Sequence, residues 1–538
     1  MRKLSLKFIV ATSLVFSISA LVSFIVEYKN FEGGLTYEFC HYNEIARNIN
    51  DGKGFKTTIF FPSTLALLKE RNINFQEFAP VIDRFPIHAY MTAAAQKFLG
   101  GNDEAQLMLS LLYLALFAVF TFVVAYRFWG LESGFFCGLA IALCPSFQRG
   151  FLLWGLPDFL FALLVFIFVL HFSFLAANGK KSPLHWLLSG ATGGVAWLCR
   201  ANFILWMPLF LLWIFLLKNP KGREKAANAF FFLLGFVLLA FPLMFCNLNR
   251  AGSINPPTFA WNLSYLITTN NLPWLEYKTF SSLAPLQYPL SLLKKWLFFF
   301  AGNIKAWPFM WQFYLIWPTA LFGIAKLWKK QKENPHLSIF IFLFASMLIL
   351  QVFTFSFLRF ETLGKMVSGR YYIWFAPAAV FLSAYWATGL KPATRRVFFV
   401  INFLIFSWWL LKPQGVKAYP GGLYVDKWPE IKAVDGYLPK NGFIVSNIPA
   451  QIAWYKKRKT IQLPARPSDL VKMASDRKIS GIIITRLLVG ELYNMPRWKE
   501  MLENERFLNK FADNLNFQVK DIGTSVILHN NVRAPRRN

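Results

Sequence analysis

Among the polar residues of this chain, Glu38 is best placed for chemistry, in the run Tyr37-Glu38-Phe39-Cys40-His41-Tyr42-Asn43-Glu44-Ile45-Ala46-Arg47-Asn48. A carboxylate held at a membrane surface can act as a general base, taking a proton from a hydroxyl or amine that attacks a lipid-linked phosphate ester. A solvated loop acid is the plainer reading of the same residue. Asp83-Arg84-Phe85-Pro86 sets an acid and a fixed cation before a helix. Arg84 suits a lipid phosphate, because a guanidinium keeps its charge and offers a planar fork of donors. Snorkelling to ordinary headgroups accounts for it equally well. Asp158 follows Gly155-Leu156-Pro157, where it could bond a sugar, steady a cation, or cap the helix that continues at Phe159. Arg200 is the only charge in Trp197-Leu198-Cys199-Arg200-Ala201-Asn202, and Arg359, Glu361, Lys365 and Arg370 precede Tyr371. Any of these could neutralise a departing phosphate, and each also suits an interfacial anchor. Glu44, His88 and Arg250 complete the polar set; mid-span His171 and the sequon Asn262-Leu263-Ser264 are incidental.

These residues must be positioned by membrane helices. The 538 residues are 56% hydrophobic and 18% aromatic, with a mean hydropathy of +0.40, outside the range of soluble globular proteins. A hydrocarbon core of about 30 Å needs roughly 17 to 25 mostly apolar helical residues. Such runs are read at 8–26, 105–126, 134–147, 159–176, 186–199, 203–217, 227–246, 309–327, 337–356, 371–390 and 397–411, about eleven spans. With an uncleaved first span and the N-terminus inside, the basic loops fall on the cytoplasmic side. They are Arg2/Lys3/Lys7, Arg127, Lys180/Lys181, Lys218 to Lys225, Lys326 to Lys332 and Lys391 to Arg396. The candidate chemistry then lies on the outer face. The short runs 186–199 and 203–217 also suit one broken hairpin.

Residues 1–414 are read as a transmembrane domain with long outer loops at 27–104 and 247–308, and 415–538 as an extracytoplasmic α/β domain. Helical patterns at 40–50 and 87–99 predict two helices lying on the membrane surface. In the tail, strands are expected at 443–446, 460–463, 481–485 and 525–528, alternating with helices at 450–456, 467–474 and 496–511. The tail shows no Gly-rich phosphate loop, no Gly-x-Ser-x-Gly and no paired His, so binding suits it better than catalysis. Its 21 Lys and Arg against 11 Asp and Glu suit acidic headgroups or simply a solvated basic surface. The net charge of +30 is largely accounted for by inner loops, so no nucleic-acid partner is expected. Five scattered cysteines offer neither a disulfide framework nor metal spacing.

The order of these motifs resembles the GT-C-type polyprenyl-phosphate-sugar glycosyltransferases, in particular the bacterial protein O-mannosyltransferase and lipid A aminoarabinose transferase branch. The matching features are Glu38…Tyr42…Ile45-Ala46-Arg47, Arg84-Phe85-Pro86…Phe98-Leu99-Gly100, Pro157-Asp158, Leu198-Cys199-Arg200, Arg370-Tyr371 and the soluble α/β tail. That family usually has Asp at the Glu38 position, often beside a second acid; here Tyr37 and Phe39 flank it. The resemblance implies a polytopic α-helical GT-C-like fold and inverting transfer of a sugar from a polyprenyl-phosphate carrier. The acceptor would be a glycolipid, polysaccharide or protein at the outer face of the bacterial cytoplasmic membrane. Glu38 would be the base and Asp158 would help form the catalytic cavity. Arg84, Arg200, Arg370, Asp83 and Tyr42 would bind the lipid-phosphate donor. No cofactor and no obligatory metal are expected, because a phosphate monoester leaves with charge that fixed Arg side chains can stabilise. The rival readings are a lipid-linked-saccharide transporter or flippase, and a non-catalytic envelope polysaccharide assembly protein that would tolerate loss of Glu38.

Overall fold

The computed structural model describes residues 6–28, 31–75, 78–178, 182–217, 222–269, 271–333, 335–358, 366–412, 422–487 and 495–529. The helices of the membrane block and its long loops are α1 (Leu6–Tyr28), α2 (Tyr37–Asn50), α3 (Pro62–Glu70), α4 (Pro86–Leu99), α5 (Asp103–Trp129), α6 (Leu131–Ala142), α7 (Asp158–Asn178), α8 (Pro183–Cys199), α9 (Met207–Leu216), α10 (Gly222–Ala251), α11 (Thr258–Ser264), α12 (Pro289–Ala306), α13 (Ile316–Lys329), α14 (Pro335–Leu358), α15 (Ala376–Ala387) and α16 (Pro392–Leu411). Local chemistry sets the starts near the candidate residues. Thr36 caps α2 by accepting from the Phe39 N–H at 3.1 Å, Asn102 caps α5 from the Ala105 N–H at 3.3 Å, and proline opens α4.

Among the described residues, seven helical stretches are long and apolar enough to cross a membrane: Leu6–Val26, Asp103–Trp129, Leu131–Arg149, Asp158–Ala177, Gly222–Ala251, Pro335–Leu358 and Pro392–Leu411. The chain is a multi-pass membrane protein. The other four expected spans fall on shorter or composite pieces. Residues 186–199 lie in α8, and 203–217 is a 3₁₀ segment, Ala201–Trp206, running into α9. Residues 309–327 pass through a kink at Met310 and Trp311 before α13, and 371–390 joins a 3₁₀ segment, Met366–Phe375, to α15. A 3₁₀ turn rises about 2.0 Å per residue, so such composites cover more depth than their length suggests. Glycine brings α8 and α10 together: a Cβ at Gly190 or Gly235 would collide with the backbone of the facing helix, at Phe232 or Leu187. Close backbone approach of this kind is how membrane helices gain packing without a hydrophobic driving force.

The tail contributes α17 (Pro429–Tyr437), α18 (Pro449–Lys456), α19 (Pro467–Asp476), α20 (Pro496–Glu503) and α21 (Glu505–Asn514). The strands are β1 (Lys56–Thr57), β2 (Ile59–Phe60), β3 (Ala79–Pro80), β4 (Phe443–Ser446), β5 (Thr460–Gln462), β6 (Ile479–Thr485), β7 (Gln518–Asp521) and β8 (Ser525–His529). All four expected tail strands are present. The sequence reading missed α17 and β7, and the helix expected at 496–511 is broken at Asn504, which caps α21 through the Phe507 N–H. The main sheet has the order β2-β5-β4-β6-β8-β7, parallel from β2 to β6 and antiparallel beyond. Its β2 edge therefore comes from the loop after α2. The core on one face of the sheet likewise takes Phe60, Leu65, Leu68, Ile82 and Leu275 from the long loops alongside Val445, Ile461, Ile482 and Trp498 from the tail.

Candidate active site

Helix α2 carries Glu38 in its first turn and Glu44 about two turns on, and their environments differ. Glu44 is fully buried and accepts from Asn48 Nδ2 at 2.6 Å, Thr57 Oγ1 at 2.8 Å, and the Thr58 N–H and Oγ1 at 3.0 Å each. It ties α2 to β1 and has no open side. Glu38 instead lines a cavity of about 290 Å³ where α2, the turns before α4 and after α8, the segment before α11, the end of α14 and strand β5 converge.

The cavity wall also includes Tyr37, Tyr42, Asp83, Arg84, Arg200 and Arg370. Arg84 comes from the turn before Pro86, its Nη1 3.6 Å from Asp83 Oδ2 and its guanidinium 5.6 Å from the Tyr37 ring centroid. Burial works against the Arg84 charge, but Asp83, Tyr37 and Tyr42 more than offset it and hold the guanidinium protonated. Burial pushes the Asp83 carboxyl up, with Arg84 opposing, and pushes the Tyr42 phenol up to about 12. Arg200 follows Cys199 in extended backbone and stacks 4.9 Å from the Tyr371 ring. Burial lowers it to about 10, with Arg370 pushing the same way, yet it stays cationic at neutral pH. Arg370 packs 5.2 Å from Trp154 and donates to Tyr371 Oη at 2.8 Å. Glu38 lies near enough to both Arg84 and Arg200 for its negative charge to raise each.

Six of the seven site residues expected from sequence thus border one space. Asp158 does not: it is 2% exposed, at the first turn of α7, and forms an ion pair with Arg200 behind the wall. Neither of its carboxylate oxygens accepts a hydrogen bond from a described residue, so the capping role gives way to that pair. The carbonyl of Gly155, just before it, accepts from His88 Nε2 at 2.9 Å and Gln106 Nε2 at 2.7 Å, which fixes the turn leading to Asp158. His88 is buried, and desolvation lowers it to about 4. Arg250 closes α10 and is not among the lining residues. Arg359, Glu361 and Lys365 lie outside the described residues.

The sequence reading missed the other half of the wall. Phe61, Asn202, Asn255, Trp261, Asn262, Trp274 and Gln462 line the same cavity, and Ile204, Leu205, Phe259, Phe355 and Leu358 give it an apolar side. Asn262 was set aside as a sequon, and nothing local connects the 247–308 loop to α2. The one legible signal was Gln462, an amide in the expected strand Thr460-Ile461-Gln462-Leu463. Among the described residues no group of three or more His, Cys, Asp or Glu is arranged to hold a metal ion.

Residues 83–246 match the family model described as dolichyl-phosphate-mannose-protein mannosyltransferase. No curated protein sequence matches the chain. Among solved structures, ArnT from Cupriavidus metallidurans bound to undecaprenyl phosphate aligns with a TM-score of 0.55 over 97% of this chain and 98% of its own, at 13% identity. The same protein in the apo state gives 0.44 at 12% identity, covering 96% and 97%. The first alignment spans the helices and the tail together, so the whole architecture is shared. The family match takes in Arg84, Asp158 and Arg200, and the first alignment shows that the chain shares the fold of that solved structure.

Proposed function

We propose that this enzyme moves a sugar from a polyprenyl-phosphate carrier to an acceptor hydroxyl or amine at the tail-bearing face, with inversion. The observation that carries the reading is one cavity that joins a carboxylate, Glu38, to three arginines, Arg84, Arg200 and Arg370, beside an apolar wall. Glu38 takes the proton of the attacking group. The arginines bind the carrier phosphate and stabilise the charge that develops as the glycosidic C–O bond breaks. Asp158 positions Arg200 through their ion pair, and Asp83 does the same for Arg84. Tyr42 lines the same cavity. Ile204, Leu205, Phe355 and Leu358 suit the prenyl chain where it leaves the phosphate. The undecaprenyl phosphate bound to the ArnT of similar fold supports a lipid carrier of this class.

The basic loops support a reading in which the tail-bearing face lies outside the bacterial cytoplasmic membrane and the N-terminus inside. A glycolipid, polysaccharide or protein acceptor would be met there. The division into a membrane domain to residue 414 and an extracytoplasmic domain beyond it is kept, with β2 joining the second. Purified protein is expected to transfer sugar from a synthetic polyprenyl-phosphate-sugar, with Glu38→Gln inactive but still binding donor and Arg84→Ala deficient in donor binding. Normal turnover in Glu38→Gln would remove Glu38 as the base. Normal donor binding in Arg84→Ala would remove the phosphate assignment.

A further inference from the structure

Strand β5 lies between two parallel neighbours, β2 and β4, where interior strands ordinarily carry unbroken apolar runs. Ile461 obeys that rule and packs into the core with Phe60 and Val445. Alternation sends the next side chain to the other face of the sheet, and there Gln462 borders the active-site cavity. Gln462 is 3% exposed, and its Nε2 has no hydrogen-bond partner among the described residues. A buried amide left this way is rare, because its desolvation goes uncompensated. Two further amides on the same wall share the property, through Asn202 Nδ2 and Asn255 Oδ1. They come from three distant segments of chain, and Phe61 and Trp261 line the same cavity, their rings 5.8 Å apart edge to face.

We propose that Gln462 recognises a hydroxyl of the transferred sugar, so that the tail selects which lipid-linked sugar the membrane block uses. The inference rests on the donor reading above. The cationic part of the cavity suits phosphate; the neutral amides suit groups that both donate and accept, as sugar hydroxyls do. Aromatic faces beside them suit the C–H surface of a sugar ring. A site that hydrogen-bonds a hydroxyl discriminates strongly against ligands lacking it, because its own buried group is then left unpaired. Asn202 and Asn255 serve as secondary contacts to the same ring.

The test compares binding of undecaprenyl phosphate with binding of its glucosyl, mannosyl, galactosyl and arabinosyl derivatives. Wild-type protein is expected to prefer at least one sugar-bearing lipid over the bare carrier. Gln462→Leu is expected to cut that preference about ten-fold while leaving bare-carrier affinity unchanged, which also reports that the cavity has folded. If the leucine variant loses the bare carrier as well, Gln462→Asn retains the amide one methylene further back and must lower the preference alone. Equal binding of all lipids by the wild type, an unchanged preference in Gln462→Leu, or loss of the bare carrier in both variants overturns the inference. Failure of the wild type to bind any of these lipids overturns the donor reading instead.

Discussion

Two of the polar places where the membrane block and the tail meet are built on opposite principles. In the seam formed by α2, α5 and α18, polarity is closed. Asp103 accepts from Trp454 Nε1 at 2.6 Å, from Tyr424 Oη at 3.0 Å and from Tyr455 Oη, and Arg47 donates to the carbonyls of Trp454 at 2.7 Å and Ala453 at 3.1 Å. Around the cavity, polarity is left open: Arg84 Nε, Asn202 Nδ2, Asn255 Oδ1 and Gln462 Nε2 are buried with no partner among the described residues. Satisfied buried groups hold a structure together, whereas unsatisfied ones gathered around a space are reserved for a ligand. Residue type alone does not separate these cases, since both places contain carboxylates, arginines and aromatics.

The contrast can be broken first at Glu38. Glu38→Gln is expected to lower turnover by about 10³-fold or more, in the range of a lost general base, with the unfolding midpoint unchanged. Comparable loss of stability would mean that Glu38 is part of the scaffold after all. Asp158→Asn leaves the Arg200 charge buried without its partner and is expected to cost about 3 to 5 kcal/mol, read by denaturant unfolding in detergent. The seam is tested by Asp103→Ala, which removes the acceptor of three donors and is expected to cost about 3 kcal/mol without changing donor affinity. A change in donor affinity at unchanged stability would show that the two places are not separate.

A smaller, pH-dependent effect sharpens the comparison at His88. Its folded value near 4 lies below the ordinary 6.5, so the unfolded chain binds the extra proton between those values. Stability therefore falls as pH drops through that window, by about 1.4 kcal/mol per unit at most, and is unaffected above it. His88→Gln is expected to flatten this acid-side loss in a stability titration from pH 7 to pH 4. An identical profile in the variant would assign the loss to other groups.

Much of this arrangement was legible before any coordinates. Long apolar runs located the spans, because a bilayer imposes length and composition locally, and short runs rich in β-branched residues located the tail strands. The three composite spans were harder, since Ala201–Trp206 and Met366–Phe375 are 3₁₀ segments whose geometry leaves little periodic trace. Likewise Ile59–Phe60 is too short to announce itself as a strand, yet it forms the edge of the tail's sheet.

The amino-acid sequence by itself determined that the chain crosses the membrane many times and that an α/β tail follows. Tertiary structure decided which of the candidate acids and arginines meet. Glu38 and Glu44 are six positions apart on one helix, about 240° around its axis, so they look toward different surroundings. Glu44 meets Thr57 and Thr58, 13 and 14 positions on, whereas the cavity that Glu38 lines is walled by segments as distant as Arg370 and Gln462. Glu44 was consequently sealed by Thr57 and Thr58, Asp158 was drawn behind the wall by Arg200, and Gln462 was brought to the cavity by a sheet that the loop after α2 completes. Local sequence carries periodicity and charge, but the burial and pairing that separate a structural carboxylate from a reactive one arise only when distant segments close around it.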